Sequence, residues 1–115
     1  MSRCLFIFND APYGSQRSYN GLRMAAALAR KTEVRVFLLG DGVTCGLAGF
    51  NPAHADYNPQ ELLNQVAATG APISACGTCM EARGMAAEAL LPAVKRSTLD
   101  ELVAWTTECD KVISF

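Results

Sequence analysis

Hydrophobic residues fall into two kinds of pattern along the chain. Five short runs are nearly continuous in apolar residues, as in strands buried on both faces of a sheet, and they occupy residues 3–8, 34–39, 71–75, 93–95 and 111–115. Helical periodicity between them predicts helices over about 16–30, 59–70, 78–89 and from 98 past 105. This alternation predicts an α/β fold, a three-layer α/β/α sandwich around a mostly parallel five-stranded sheet.

Local signals set several of the helix boundaries. Asn58 followed by Pro59 is typical of an N-cap and a first helical residue, and Gly70 is typical of a helix end. Gly84 falls inside the third predicted helix, where glycine costs about 1 kcal/mol relative to alanine. We expect that helix to continue through Gly84 to about Ala89.

Three connections are expected to meet at one edge of the sheet. The segments Asn9–Ser15, Gly40–Asn58 and Cys76–Cys79 each follow a predicted strand. In a parallel sheet such connections emerge at the carboxyl ends of the strands, where ligands bind in open α/β folds. Gly40–Asn58 is also long and glycine-rich, and long connections are often functional or mobile. The topology therefore predicts a site at this edge.

Size and charge exclude several classes of protein. A length of 115 residues fits a single domain spanning 1–115. Ten basic and eleven acidic residues, without a basic block, disfavour nucleic acid as a partner. No apolar run approaches the ~20 residues of a membrane span. The first residues resemble a strand rather than a signal peptide, so a cytoplasmic protein without membrane attachment is expected.

The five cysteines carry the candidate chemistry. An odd number without a secretion signal argues against a disulfide framework, and Cys4 and Cys109, which flank strands, are predicted to be core residues. Cys76 and Cys79 lie where a strand gives way to a helix. Unpaired amide N–H groups and the helix dipole there stabilise a thiolate, the nucleophilic form of cysteine. Arg83, four residues after Cys79, would place a cation on the same helical face.

Other interpretations of these residues stay open. Half of a zinc site is disfavoured, because the chain has no second C-x-x-C pair and its one histidine is His54. Two inert buried thiols remain an alternative. Four residues are candidates for substrate binding, namely Arg83 after the cysteine pair and Tyr13, Gly14 and Cys45 in the first two connections. Tyr13 is equally consistent with an aromatic that caps the first helix.

Several motifs together resemble the DsrE/DsrF-like family of sulfur-relay proteins. They are Ala11-Pro12-Tyr13-Gly14-Ser15-Gln16, Gly40-Asp41-Gly42-Val43, Cys76-Gly77-Thr78-Cys79-Met80-Glu81-Ala82-Arg83-Gly84 and the closing Cys109–Phe115. The resemblance covers nearly the whole chain. Cys76, eight residues before Gly84, stands where the sulfur-carrying cysteine of the TusD/DsrE subunits falls.

The resemblance implies a function for Cys76. A member of this family would carry persulfide sulfur on that thiol between a sulfur donor protein and an acceptor protein, without metal or organic cofactor, and would assemble as a homotrimer or homohexamer. Cys79 departs from the single-cysteine relay subunits, since a second thiol could resolve the persulfide to a Cys76–Cys79 disulfide. A thiol–disulfide or redox-sensing module, and a non-catalytic oligomeric binding subunit, are therefore the alternatives.

Overall fold

The computed structural model describes residues 2–52 and 56–115. The strands are β1 (Arg3–Phe8), β2 (Glu33–Leu38), β3 (Ile73–Cys76), β4 (Val94–Ser97) and β5 (Lys111–Ser114). The α-helices are α1 (Arg17–Ala29), α2 (Pro59–Ala68), α3 (Gly77–Ala82) and α4 (Leu99–Glu108), and two 3₁₀ helices span Gly40–Gly46 and Ala87–Ala89. In the described part of the chain, no helix is long and apolar enough to cross a membrane.

All five strands are parallel, in the order β4-β3-β2-β1-β5. The chain steps in one direction from β1 to β4, and α4 then returns it to β5 beside β1. Because such crossovers are right-handed, α1 and α2 cover one face of the sheet and α4 covers the other. The predicted α/β sandwich with a five-stranded parallel sheet is confirmed.

The continuous apolar runs form strands because helices cover both of their faces. Phe6 and Phe8 of β1 are fully buried and stack against each other with ring centroids 6.2 Å apart. Phe115 stacks on Phe8 at 5.7 Å. A Cβ at Gly21 of α1 would lie 2.5 Å from the Phe8 ring and 2.7 Å from the Phe115 ring, so only glycine lets α1 approach this closely.

The face of the sheet that α4 covers carries a cluster of polar side chains. Glu101 of α4 accepts hydrogen bonds from Ser74 at 2.5 Å and Ser97 at 2.7 Å, and Lys95 lies 3.6 Å away. Burial opposes ionisation of Glu101, but these hydroxyl and ammonium partners outweigh it and lower the pKa of the carboxyl. An open groove of about 710 Å³ runs along this face, beside Trp105.

The third helix is shorter than predicted. α3 ends at Ala82, and Gly84 adopts a left-handed conformation with φ of +66°. The N–H of Met85 donates to the carbonyl of Met80, and that of Gly84 to the carbonyl of Glu81, which is the Schellman pattern of a helix end. The prediction of a helix to Ala89 was therefore wrong, because Gly84 terminates the helix.

Candidate functional site

The three connections meet at the carboxyl edge of the sheet, as the parallel topology requires. The N–H of Gly40 donates to the Cys79 sulfur at 3.3 Å, which joins the connection after β2 to α3. The thiol of Cys45 donates to the carbonyl oxygen of Asp10 at 3.4 Å, which joins it to the connection after β1. The edge is thus a continuous surface built from all three connections.

Gly42 allows this close approach. A Cβ at that position would lie 1.9 Å from the carbonyl oxygen of Phe8 and 2.6 Å from its carbonyl carbon. No side chain fits against backbone at that distance, so glycine is required for the 3₁₀ helix to lie on the end of β1. The long, glycine-rich connection therefore begins with a packed 3₁₀ helix, Gly40–Gly46, whose first N–H faces Cys79.

Cys76 is the residue at which the strand becomes a helix. It ends β3, and it serves as the N-cap of α3 with φ −63° and ψ 115°. Its sulfur accepts a hydrogen bond from the backbone N–H of Cys79 at 3.4 Å. The Thr78 hydroxyl lies 3.3 Å from the Cys76 sulfur. The Cys79 thiol donates a hydrogen bond to the Cys76 sulfur at 2.8 Å.

These contacts favour a thiolate at Cys76. Burial raises the pKa of its thiol, but hydrogen bonds from the side chains and backbone of Cys79 and Thr78 outweigh burial, and the net shift is downward. The expected depression of the Cys76 pKa thus agrees with the geometry. Its main physical cause is direct hydrogen bonding to sulfur.

Cys79 shows the opposite shift. Burial raises the pKa of its thiol, and the hydrogen bond that it makes with Cys76 raises it further. The N–H of Gly40 and the charge of Arg83 act in the other direction without reversing the shift. The pair therefore shares its proton unequally, with the negative charge favoured on Cys76 and the proton on Cys79.

Arg83 links α3 to the 3₁₀ helix. Its Nε and Nη2 donate to Oδ1 of Asp41 at 3.0 and 2.6 Å, and its Nη1 donates to the carbonyl oxygen of Cys79 at 3.0 Å. The guanidinium thus binds the backbone carbonyl of Cys79, and it affects the Cys79 thiol through its charge rather than through a hydrogen bond to the sulfur. Sequence reasoning missed Asp41 as the partner, although its position between Gly40 and Gly42 in a converging connection was a usable signal.

Cys45 lies beneath the first connection. Its side chain is fully buried, and its thiol donates to the Asp10 carbonyl. Burial raises the pKa of Cys45 to about 12. The Cys45 thiol therefore stays protonated at neutral pH. Its position indicates a role in packing rather than as a nucleophile.

Tyr13 and Gly14 lie on the rim of the edge. Tyr13 packs edge-on against Phe50 and tilted against Tyr57, with centroids 5.6 Å apart in both pairs. Tyr57 also stacks on Tyr19 of α1 at 4.2 Å. Gly14 has φ of +115° and open space around its Cα, so it provides a turn that other residues rarely adopt. This aromatic cluster of Tyr13, Tyr19, Phe50 and Tyr57 was not recognised from the sequence.

Within residues 2–52 and 56–115, no three His, Cys, Asp or Glu side chains are grouped so that they could hold a metal ion. His54 lies outside the described residues.

Curated relatives resemble the chain over nearly its full length. It is 39% identical over 118 residues to Protein YchN of Escherichia coli strain K12, with all of both chains covered. It is 43% identical over 110 residues to MK0008 of Methanopyrus kandleri, an uncharacterized protein, with 95% of this chain and 90% of that protein covered.

Solved structures and a protein family also match the chain over nearly its full length. The crystal structure of YchN from E. coli superposes with a TM-score of 0.93, covering 100% of both chains at 39% identity. MTH1491 from Methanobacterium thermoautotrophicum shares the fold, with a TM-score of 0.80 at 18% identity over all of both chains. The DsrE/DsrF-like family matches residues 2–115. The chain therefore belongs to the DsrE/DsrF-like family.

Proposed function

We propose that the protein carries persulfide sulfur on Cys76, from a donor protein to an acceptor protein. The observation that carries this proposal is the set of hydrogen bonds to the Cys76 sulfur from Cys79 and Thr78, which favour its thiolate. A thiolate is the form of cysteine that attacks a sulfane sulfur. Membership of a family with a sulfur-relay type of fold supports the same chemistry.

The transfer step is a thiolate displacement at sulfur. The Cys76 thiolate attacks the outer sulfur of a donor persulfide, a new S–S bond forms at Cys76, and the donor's S–S bond breaks. The donor leaves as a thiolate, and the proton of its outer sulfur stays with the transferred atom. Transfer to the acceptor repeats the step with the acceptor thiolate as nucleophile. Neither step needs an oxidant, a metal or an organic cofactor.

Access to Cys76 depends on its two neighbours. As a whole residue Cys76 is 3% exposed, whereas Thr78 is exposed and Cys79 is half-buried. Both side chains that touch the Cys76 sulfur thus reach the surface. We expect rotation of these short side chains to open the sulfur to a donor, and this access would be restricted to a small group such as the tip of a persulfide.

Sulfur loading tests this proposal. The reduced protein is incubated with a cysteine desulfurase and cysteine, and intact mass and peptide mapping are recorded, with a control that lacks cysteine. We expect the earliest samples to gain one sulfur atom, which maps to Cys76 and is removed by a thiol reductant. A Cys76 that neither gains sulfur nor enters a disulfide during the incubation, or sulfur distributed evenly over all the cysteines, would contradict the proposal.

A further inference from the structure

The Cys79 thiol lies between two groups that bear on its reactivity. Its sulfur is 2.8 Å from the Cys76 sulfur, and it accepts a hydrogen bond from the N–H of Gly40 at 3.3 Å. The charge of Arg83 also favours negative charge at this position. Cys79 is therefore directed at the atom to which transferred sulfur would be attached. The Gly40 N–H and the Arg83 charge favour negative charge on the Cys79 sulfur, while burial and the Cys76 contact keep its thiol protonated in the resting site.

We propose that Cys79 resolves a persulfide on Cys76, which releases the transferred sulfur as hydrosulfide and leaves a Cys76–Cys79 disulfide. This inference rests on the proposed function, because it requires Cys76 to accept sulfur. It adds an activity to that of a carrier, namely the reduction of sulfane sulfur to hydrosulfide by the two thiols of the site.

The step balances without an added reactant. The ionised persulfide on Cys76 and the neutral thiol of Cys79 give the disulfide and one hydrosulfide ion. The bond between the Cys76 sulfur and the outer sulfur breaks, the bond between the two cysteine sulfurs forms, and the Cys79 proton goes to the departing sulfur. The outer sulfur gains two electrons, and each cysteine sulfur is oxidised to the disulfide level. A dithiol reductant would return the pair to its starting state.

The geometry favours attack on the inner sulfur. The Cys79 sulfur contacts the sulfur of Cys76 itself, and the transferred atom would extend beyond that contact. Attack on the inner atom expels hydrosulfide, the conjugate base of a stronger acid than an alkyl thiol, and such a group leaves faster. Attack on the outer atom would instead move the sulfur to Cys79 and expel the Cys76 thiolate.

The contact also fits formation of the covalent bond. A disulfide needs its two sulfurs about 2.05 Å apart and its two Cβ atoms about 4 Å apart. Cys76 and Cys79, three residues apart at the start of α3, already hold their sulfurs at 2.8 Å while both remain free thiols. Little movement of the backbone is then required to close the bond.

The test compares single-turnover sulfide release from wild-type protein and from Cys79→Ser. Each is loaded with glutathione persulfide, freed of excess reagent and incubated without reductant. Released sulfide is trapped with a bimane reagent, and protein mass is followed in parallel. Serine retains an oxygen that can accept the N–H of Gly40, and Cys109→Ser serves as the matched control for loss of a thiol.

We expect wild type and Cys109→Ser to release about one sulfide per loaded chain and to lose two hydrogen atoms as the internal disulfide forms. Cys79→Ser should keep its sulfur on Cys76. If wild type and Cys79→Ser both retain the sulfur, the resolving role is overturned and the carrier proposal stands. If neither protein takes up sulfur, the proposed function fails, and the resolving role fails with it.

Discussion

Replacing Cys76 with serine is expected to abolish sulfur uptake while the fold is retained. A serine hydroxyl is not ionised at neutral pH and does not form a persulfide, so the nucleophile is lost. The N-cap function of residue 76 is preserved, because serine is among the preferred N-cap residues and its oxygen can accept the N–H of Cys79 in place of sulfur. The effect is therefore on chemistry, with stability nearly unchanged.

The matched control for this variant is Cys109→Ser. Cys109 is a half-buried free thiol whose pKa is raised by burial, whereas hydrogen bonds lower the pKa of Cys76. Uptake of sulfur from a desulfurase is measured by intact mass, and folding by circular dichroism and thermal unfolding. Cys109→Ser should load like wild type. Full loading of Cys76→Ser would place the sulfur on another cysteine and reject Cys76 as the carrier.

Replacing Gly42 with alanine is expected to destabilise the protein by about 3 kcal/mol or more, in line with other backbone clashes in packed interiors. The added Cβ would lie 1.9 Å from the Phe8 carbonyl oxygen, and backbone cannot move aside as a flexible side chain can. The 3₁₀ helix would have to shift away from the end of β1. The Gly40 N–H would then move off the Cys79 sulfur, so any variant that still folds should also lose this contact.

Gly70→Ala is the matched control for Gly42→Ala, because it replaces a glycine where an added Cβ meets no other atom. Gly70 has φ of +90° with open space around it, so alanine there adds backbone strain without a clash. Its expected cost is about 1 kcal/mol. Urea unfolding of the two variants measures the difference. Equal losses at Gly42 and Gly70 would show that close approach of the 3₁₀ helix to β1 is not what glycine provides at position 42.

The layout of the fold follows from its apolar runs. Continuous runs such as Leu5–Phe8 predict strands covered on both faces, and the alternation with helices leaves parallel pairing as the natural arrangement. The end of α3 was misplaced, since residues 85–89 are acceptable helix formers and propensity alone assigns Gly84 only a modest cost. The left-handed conformation of Gly84, with its Schellman hydrogen bonds, decides the boundary.

The candidate site was predictable where it depends on strand ends. Cys76 follows an apolar run directly, so its place at the carboxyl edge comes from topology alone. Contacts between residues distant in sequence could not be predicted this way. Arg83 pairs with Asp41, 42 residues away, and Cys45 reaches Asp10, 35 residues away. These side chains have several possible partners, and only the packing of the 3₁₀ helix selects among them.

The pKa of the Cys76 thiol is the decisive measurement, because the proposed sulfur transfer depends on hydrogen bonds that hold this sulfur as a thiolate. It can be followed by NMR titration of the protein labelled with ¹³C at cysteine Cβ, with Cys109 as the internal reference. We expect Cys76 to ionise below the ~8.5 of a free thiol and Cys109 to ionise above it. A Cys76 pKa at or above that of free cysteine would rule out a stabilised thiolate at this position.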